Sequence, residues 1–123
     1  MQPVSAETQG VSISEDCLYI NVYTPFPMPS KPLPIMLFIY GGSWMTGAAS
    51  YPWYNGTNIV TVSPDVIVVT TNYRVNTFGW MASTALPAAG NLGLEDQRAA
   101  MTWVQVCSIV CWGSFACDTA NAE

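Results

Sequence analysis

The sequence PIMLFIYGGSWMTG, residues 34–47, decides the fold of this chain. Six apolar residues in succession, 35–40, follow a proline and end at Gly41 and Gly42. An apolar run bounded by such breakers favours a strand buried on both faces, which is typical of the inner strands of parallel sheets. We therefore predict a strand over residues 34–40 that ends in a tight glycine turn.

The two glycines also indicate a possible chemistry. Glycine lets the backbone turn sharply and direct its N–H groups into open space. Backbone donors placed after an inner strand can form an oxyanion hole, which stabilises the negatively charged oxygen in the transition state of ester cleavage. Paired glycines also end strands that have no chemical role. This stretch alone leaves both interpretations open.

Composition and charge limit the class of protein. The chain has 123 residues, enough for one domain at most. It is 50% hydrophobic and only 9% charged, well below the usual quarter, and its mean hydropathy is +0.27. Such a low content of charged residues is typical of a segment that lies in the interior of a larger protein. The net charge is −5 with three basic residues, which disfavours nucleic acid as a partner.

The sequence says little about the compartment. No apolar run is long enough to span a bilayer, so we expect no membrane span. Residues 1–10, MQPVSAETQG, lack the basic start and apolar core of a signal peptide. Asn55 begins an Asn-Gly-Thr sequence that matches the acceptor pattern for N-glycosylation. Such short patterns also occur by chance, and Asn55 is a possible glycosylation site.

The cysteines do not indicate a metal site. The chain has no histidine and no C-x-x-C pair among Cys17, Cys107, Cys111 and Cys117, so we predict no metal and no cofactor. Cys17 is either a buried thiol or one half of a disulfide whose partner lies outside this chain.

The remaining elements predict an α/β layered sheet. Residues 17–23 and 66–71 favour strands, and the second, in which every residue is β-branched, should be central. A proline-rich connection, 24–34, separates the first strand from the strand at 34–40. Strands joined by crossovers predict that all three lie side by side and parallel.

A helix should begin near Asn91, after a loop through residues 76–90. Glu95 lies in its first turn and can pair with Arg98 on the solvent side. The apolar face is predicted from helical spacing and comprises Leu94, Ala100, Met101, Trp103 and Val104.

Four blocks together resemble the type-B carboxylesterase family, which includes the cholinesterases. Residues 15–25, EDCLYINVYTP, match its E-D-C-L-Y-[LI]-N-[LIV]-x-x-P signature. Residues 39–44, IYGGSW, resemble its oxyanion loop, and residues 72–80, NYRVNTFGW, resemble its N-Y-R-x-x-x-F-G-F/W block. Residues 90–98, GNLGLEDQR, with WVQ at 103–105, are similar to the helix that follows. The blocks occur in the family's order.

The resemblance implies an α/β-hydrolase fold. It makes the three predicted strands the second, third and fourth of that sheet, and the helix the one before the nucleophile elbow. Gly42 and Ser43 fall where the family places its two oxyanion donors, and Gly41 supplies the turn. Ser43 replaces a common glycine; its N–H can still donate unless the position requires a positive φ, which serine tolerates poorly.

Two positions depart from the family pattern. The resemblance implies a disulfide between Cys17 and an upstream cysteine that this sequence lacks, so we expect Cys17 to be unpaired unless one of the tail cysteines reaches it. Met45 stands where cholinesterases have a gorge-lining tyrosine, which favours a general esterase over an acetylcholine hydrolase. Family members are often secreted, but the compartment stays open.

The resemblance divides the chain into residues 1–105, an N-terminal fragment of a type-B carboxylesterase domain, and 106–123, an unassigned cysteine-containing tail. The family continues with a G-x-S-x-G serine and a later histidine. Neither the motif nor any histidine occurs here, so none of the Ser-His-acid triad is present. The oxyanion loop alone generates no nucleophile, and we expect the chain to be inactive by itself.

Three hypotheses follow. The first is a fragment of a serine carboxylic ester hydrolase, which in its intact form acts on a small-molecule carboxylic ester through an acyl-enzyme. The second is a non-catalytic cholinesterase-like binding or adhesion module, and the third is a truncated product without a role. In the family's sheet the third strand lies between the fourth and a fifth that this sequence lacks. The strand at 34–40 would then form an open sheet edge, and we expect the isolated chain to be insoluble or molten.

Overall fold

The structure is a computed structural model that describes residues 14–27, 29–83 and 90–110, with the side chains of 108–110 excepted. Within these ranges it contains three strands and three α-helices. The strands are β1 (Ile20–Tyr23), β2 (Ile35–Ile39) and β3 (Ile67–Thr71). The helices are α1 (Thr57–Val62), α2 (Asn76–Trp80) and α3 (Leu92–Val110), and a 3-10 turn covers Pro52–Tyr54. All three predicted strands are present, each slightly shorter than expected.

The sheet has the order β1-β3-β2, so β3 is central, as its composition predicted. β2 pairs with β3 in parallel, from Ile35 opposite Ile67 to Ile39 opposite Thr71. Parallel neighbours require a crossover that returns the chain to the starting end of the sheet. The connection between β2 and β3 contains α1, which supplies this crossover.

The prediction that all three strands are parallel is wrong for β1. β1 runs antiparallel to β3, with Ile20 opposite Thr71 and Tyr23 opposite Val68. β1 therefore ends at the same end of the sheet at which β2 begins. The proline-rich connection needs no crossover helix to reach β2, and none of its described residues is helical.

The prediction that β2 is buried on both faces is also wrong. Met36 and Phe38, which share one face, are 42% and 38% exposed. β2 lies at the edge of the sheet and has β3 as its sole strand neighbour among the described residues. The apolar sequence of β2 is suited to burial on both faces. The described part of the chain, however, contains no residues that cover the face of Met36 and Phe38 completely.

The core lies at the carboxyl ends of β2 and β3. Its buried residues are Tyr40, Ala49, Tyr73 and Val75, and Ile39, Tyr54 and Trp80 pack against them. The side chains of β3 from Val68 to Thr71 are almost completely buried, which fits a central strand. The polypeptide that follows each of these strands is consequently fixed by buried contacts.

α3 begins next to Asn91 as predicted, but the predicted apolar face is only partly buried, with Trp103 and Val104 half-buried. Leu94 and Met101 are exposed, whereas Ala100 is buried as expected. Asp96 and Gln97 are buried instead, because Asp96 bonds to the loop after β3. The Glu95–Arg98 pair is present on the solvent side, with Arg98 Nη2 3.3 Å from Glu95 Oε2.

Part of the predicted loop at 76–90 is helical, since α2 occupies Asn76–Trp80. Residues 84–89 of that loop, the N-terminal loop 1–13 and tail residues 111–123 lie outside the described residues. No described helix is both long and apolar enough to cross a membrane.

Candidate active-site loop

The loop that follows β2, residues 41–47, begins with a left-handed turn. Gly42, Ser43 and Trp44 have φ values of 137°, 54° and 64°. The Gly42 carbonyl accepts hydrogen bonds from the N–H groups of Met45, at 3.0 Å, and Thr46, at 3.2 Å. These two bonds close the turn on one carbonyl and leave the N–H groups at its start outside the closed ring.

The two glycines have different roles. A Cβ added to Gly42 would collide with the carbonyl oxygen of Thr46, and the φ of Gly42 disfavours any side chain. A Cβ added to Gly41 would have no atom within 4 Å. The turn therefore requires glycine at position 42 for two reasons, while position 41 faces open space.

Ser43 occupies the conformation that the sequence analysis identified as its one difficulty. Its φ of 54° lies in the left-handed region, which costs a non-glycine residue about 1–2 kcal/mol. Contacts of the following residue hold this conformation. The Trp44 carbonyl accepts the Asn76 N–H at 2.7 Å, and the Trp44 indole lies edge-on to Trp80 with centroids 4.8 Å apart.

The two predicted donors, the backbone N–H groups of Gly42 and Ser43, make no backbone hydrogen bond within the described part of the chain. The backbone hydrogen bonds among residues 14–27, 29–83 and 90–110 include no acceptor for the N–H of Gly42 or Ser43. Both residues are exposed. Exposed backbone donors on a rigid turn can bind an oxygen that carries developing negative charge.

A pair of buried tyrosines joins the loop to the end of β3. The Tyr40 hydroxyl donates to the Tyr73 carbonyl at 2.9 Å, and the Tyr73 hydroxyl donates to the Tyr40 carbonyl at 2.9 Å. The rings are stacked with centroids 4.5 Å apart, and the residues are 2% and 1% exposed. Burial raises the pKa of Tyr73, since it disfavours the phenolate.

A second connection joins the same region to α3. Asp96 accepts from the Arg74 guanidinium through both carboxylate oxygens, at 2.8 Å from Nε and 2.6 Å from Nη2, and accepts the Arg74 N–H at 2.9 Å. The Asp96 side chain is 6% exposed. These hydrogen bonds raise the pKa of the guanidinium. The bidentate geometry fixes α3 relative to the end of β3.

The loop and the start of α3 contact the same indole. Trp44 lies against Trp80, and a Cβ built on Gly93 would be 3.0 Å from Cζ2 of Trp80. Trp80 Nε1 and Gln97 Nε2 are buried side-chain donors for which the described residues provide no acceptor. The structure thus brings the predicted donor turn close to the first turn of the predicted helix.

The remaining predicted site residues lie elsewhere. Cys17 is a half-buried free thiol just before β1. Asn55 is exposed, and its Oδ1 accepts the Thr57 N–H at 2.9 Å. Within the described ranges, no cluster of three or more histidine, cysteine or acidic side chains could hold a metal ion.

Sequence reasoning missed the connections that hold the turn. The sequence patterns make Tyr40 the last residue of an apolar strand and Tyr73 part of a motif. They predict no contact between the two residues. The ion pair of Arg74 with Asp96 joins residues 22 positions apart in sequence, and no pattern in the sequence predicts it.

The geometry places this chain among α/β proteins, with a glycine turn at the carboxyl end of a strand that pairs in parallel with its neighbour. Residues 1–109 match the carboxylesterase family, and the chain belongs to that family. Membership implies the α/β-hydrolase class, and the mixed sheet is consistent with it.

Three relatives have similar sequences over most of this chain. The chain is 48% identical over 97 residues to the cholinesterase of Mus musculus, which covers 78% of this chain and 16% of the relative. It is 46% identical over 94 residues to the acetylcholinesterase of Bungarus fasciatus, an alignment that covers 76% of this chain and 15% of the relative. It is 46% identical over 96 residues to acetylcholinesterase 1 of Caenorhabditis elegans, covering 77% and 15%. The chain spans about a sixth of the length of these relatives.

Proposed function

We propose that this chain forms the oxyanion-loop portion of a serine carboxylic ester hydrolase. The N–H groups of Gly42 and Ser43 would donate to the carbonyl oxygen of a small-molecule ester. The observation that carries this proposal is the left-handed turn at 42–44, which leaves both N–H groups exposed and unbonded among the described residues. Family membership supports it, because the turn lies in the matched residues.

The chemistry assigns these donors a definite role. A serine oxygen attacks the ester carbonyl carbon and loses its proton to a histidine, while the carbonyl π electrons move to the oxygen. The donors stabilise that oxyanion, and loss of one such donor typically costs a factor of 10²–10³ in kcat. This sequence has no histidine and no G-x-S-x-G motif, so the chain by itself is inactive.

The sheet order supports a finer assignment of the fold. β1, β2 and β3 are the second, third and fourth strands of an α/β-hydrolase sheet, and α3 is the helix before the nucleophile elbow. Residues 1–105 form the N-terminal part of the esterase domain, and 106–123 form a divergent tail. The parallel β2–β3 pair with the glycine turn at its carboxyl end favours this assignment.

The decisive experiment is a chimera. Residues 14–105 of this chain replace the aligned segment of the mouse cholinesterase, which supplies the rest of the domain. We expect the chimera to hydrolyse a choline ester or a short-chain aryl ester and to be blocked by a serine-directed inhibitor. The 123-residue chain alone should give no inhibitor-sensitive hydrolysis. A folded chimera without activity would contradict the proposal and favour a non-catalytic binding module.

Asn55 is a proposed glycosylation site, since it begins an acceptor sequence and is exposed. The chain is expressed behind a secretory leader and treated with an N-glycosidase. Asn55→Gln should abolish the glycosidase-sensitive shift in mobility. Asn58→Gln is the matched control, because Asn58 is also exposed but does not begin an acceptor sequence. A shift that survives Asn55→Gln would contradict the assignment.

A further inference from the structure

The tyrosine pair contacts the oxyanion loop at three points. Tyr40 is the residue immediately before the loop. A Cβ on Gly47, the last loop residue, would collide with the Tyr40 ring, so Gly47 lies directly on that ring. Trp44, in the middle of the loop, meets the Tyr73 ring edge-on with centroids 6.5 Å apart. The start, middle and end of the loop therefore all rest on the same two rings.

The Tyr73 hydroxyl also fixes the direction in which the loop leaves β2. It donates to the Tyr40 carbonyl, which shares one planar peptide unit with the Gly41 N–H. Holding that carbonyl in place sets the orientation of the peptide from which the left-handed turn starts. The next two N–H groups are those of Gly42 and Ser43, the proposed oxyanion donors.

We propose that Tyr40 and Tyr73 are positioning residues that set the place of the two oxyanion donors through their reciprocal hydrogen bonds. This inference rests on the proposed function of the loop. Neither hydroxyl contacts substrate, since both are used within a pair that is almost completely buried. A donor displaced by about 1 Å can cost on the order of a hundredfold in rate, so small shifts of the turn are sufficient to matter.

The two hydroxyl groups make different predictions. Tyr73→Phe keeps the stacked ring and removes the bond to the Tyr40 carbonyl, at the start of the loop. Tyr40→Phe removes the bond to the Tyr73 carbonyl, which lies one strand away from the donors. We expect kcat per titrated active site of the chimera to fall about tenfold for Tyr73→Phe and less for Tyr40→Phe. KM should change by less than about twofold, because the donors act mainly in the transition state.

Tyr23→Phe is the matched control. Tyr23 lies opposite Val68, at the other end of the sheet, and removal of its hydroxyl should leave kcat per site unchanged. Counting active sites with a stoichiometric serine-directed inhibitor separates a true loss of rate from a smaller folded fraction. A loss of titrated sites at unchanged kcat per site would overturn the positioning role, as would an equal loss in all three variants.

Hydrogen exchange gives a second readout that needs no activity. In the chimera, Tyr73→Phe should increase exchange of the backbone amides of residues 41–47, and Tyr23→Phe should not. An inactive chimera would contradict the proposed function, while the exchange experiment would still decide whether the tyrosines hold the loop. An active chimera with unchanged kcat and unchanged exchange in Tyr73→Phe would refute this inference alone.

Discussion

The carboxyl end of the β2–β3 pair and the free edge of β2 differ in how completely the described residues enclose them. At the carboxyl end, Tyr40 and Tyr73 are buried and bond to each other's carbonyls. At the edge, Met36 and Phe38 are partly exposed, and the described residues add no strand beyond β2. The contacts that shape the proposed oxyanion loop are thus made within the described residues. The described residues do not, in contrast, cover the outer edge of the sheet.

This difference separates two properties that are usually lost together. The geometry of the proposed donor turn depends on tertiary contacts within this segment, among residues 40–47, 73–80 and 93–96. The solubility of the segment depends on apolar surface that other polypeptide must cover. Substitutions at the carboxyl end should therefore affect catalysis in the chimera, and substitutions at the edge should affect the behaviour of the chain alone.

The largest expected effect is on the turn itself. Gly42→Ala forces a Cβ against the Thr46 carbonyl oxygen and should lower kcat of the chimera by a factor on the order of 10²–10³. Gly41→Ala places its Cβ in open space and should cost less than about tenfold. Steady-state kinetics with inhibitor titration measures both. Equal losses of kcat in the two variants would show that the collision with Thr46 is not the reason why position 42 requires glycine.

The next effect is on the connection to α3. Arg74→Ala leaves the buried Asp96 carboxylate without its cation and should lower the free energy of unfolding of the chimera by about 3 kcal/mol. This is the low end for buried pairs, because the Arg74 side chain is 35% exposed. Arg98→Ala breaks a pair of exposed residues and should cost less than about 0.5 kcal/mol. Urea unfolding compares them, and similar costs would contradict the burial argument.

The free edge makes a prediction for the chain alone. Met36→Lys puts a charge on the exposed apolar face of the edge strand and should raise the soluble fraction of the 123-residue chain. Val62→Lys, on α1, adds the same charge at a residue that is 82% exposed but not in the sheet. Sedimentation after expression gives the soluble fraction. An equal gain from both would point to net charge instead of the edge.

A smaller effect is expected from relief of backbone strain. Ser43→Gly removes the cost of the left-handed conformation and should stabilise the chimera by about 1 kcal/mol with no loss of kcat. Ser43→Ala keeps the strain and removes only the hydroxyl, so it should not stabilise. Thermal unfolding and kinetics of the two variants test this, and equal stabilities would show that the hydroxyl, not φ, sets the cost.

The smallest effect concerns alkaline pH. Burial, and secondly the charge of Tyr54, raise the pKa of Tyr73 from 10.0. The unfolded chain therefore loses this proton first, so the stabilisation is complete below pH 10.0 and declines as pH rises toward the folded pKa. Urea unfolding of the chimera from about pH 9 to about pH 11 should show a shallower decline for Tyr73→Phe. Identical slopes would contradict the assignment.

The three strands and the central place of β3 could be predicted because composition reports them directly. Val66 to Thr71 is β-branched and apolar, and its central place follows from that alone. The direction of β1 could not be predicted, since no side-chain pattern distinguishes the two orientations of a strand. The glycine turn was also predictable, because paired glycines after an apolar run have few other structural uses.

The details of the site required tertiary contacts. The φ of Ser43 is set by Trp44, whose carbonyl and indole are held by residues of α2. The burial of Asp96 depends on Arg74, which lies 22 residues away in sequence. Helical periodicity assigned Leu94 to the core because it weighs apolar character and cannot detect that an ion pair turns another face of α3 inward.

The reciprocal bonds between the two tyrosines also determine strand register. β2 is an edge strand, and an edge strand with a nearly uniform apolar sequence has little in its side chains to prevent slippage. A slip of one residue would move each hydroxyl about 3.3 Å from its carbonyl and break both bonds together. The two bonds therefore fix the register of β2 against β3 at their carboxyl ends. The proposed donor turn, which follows β2 directly, is then held at one position along the strand direction.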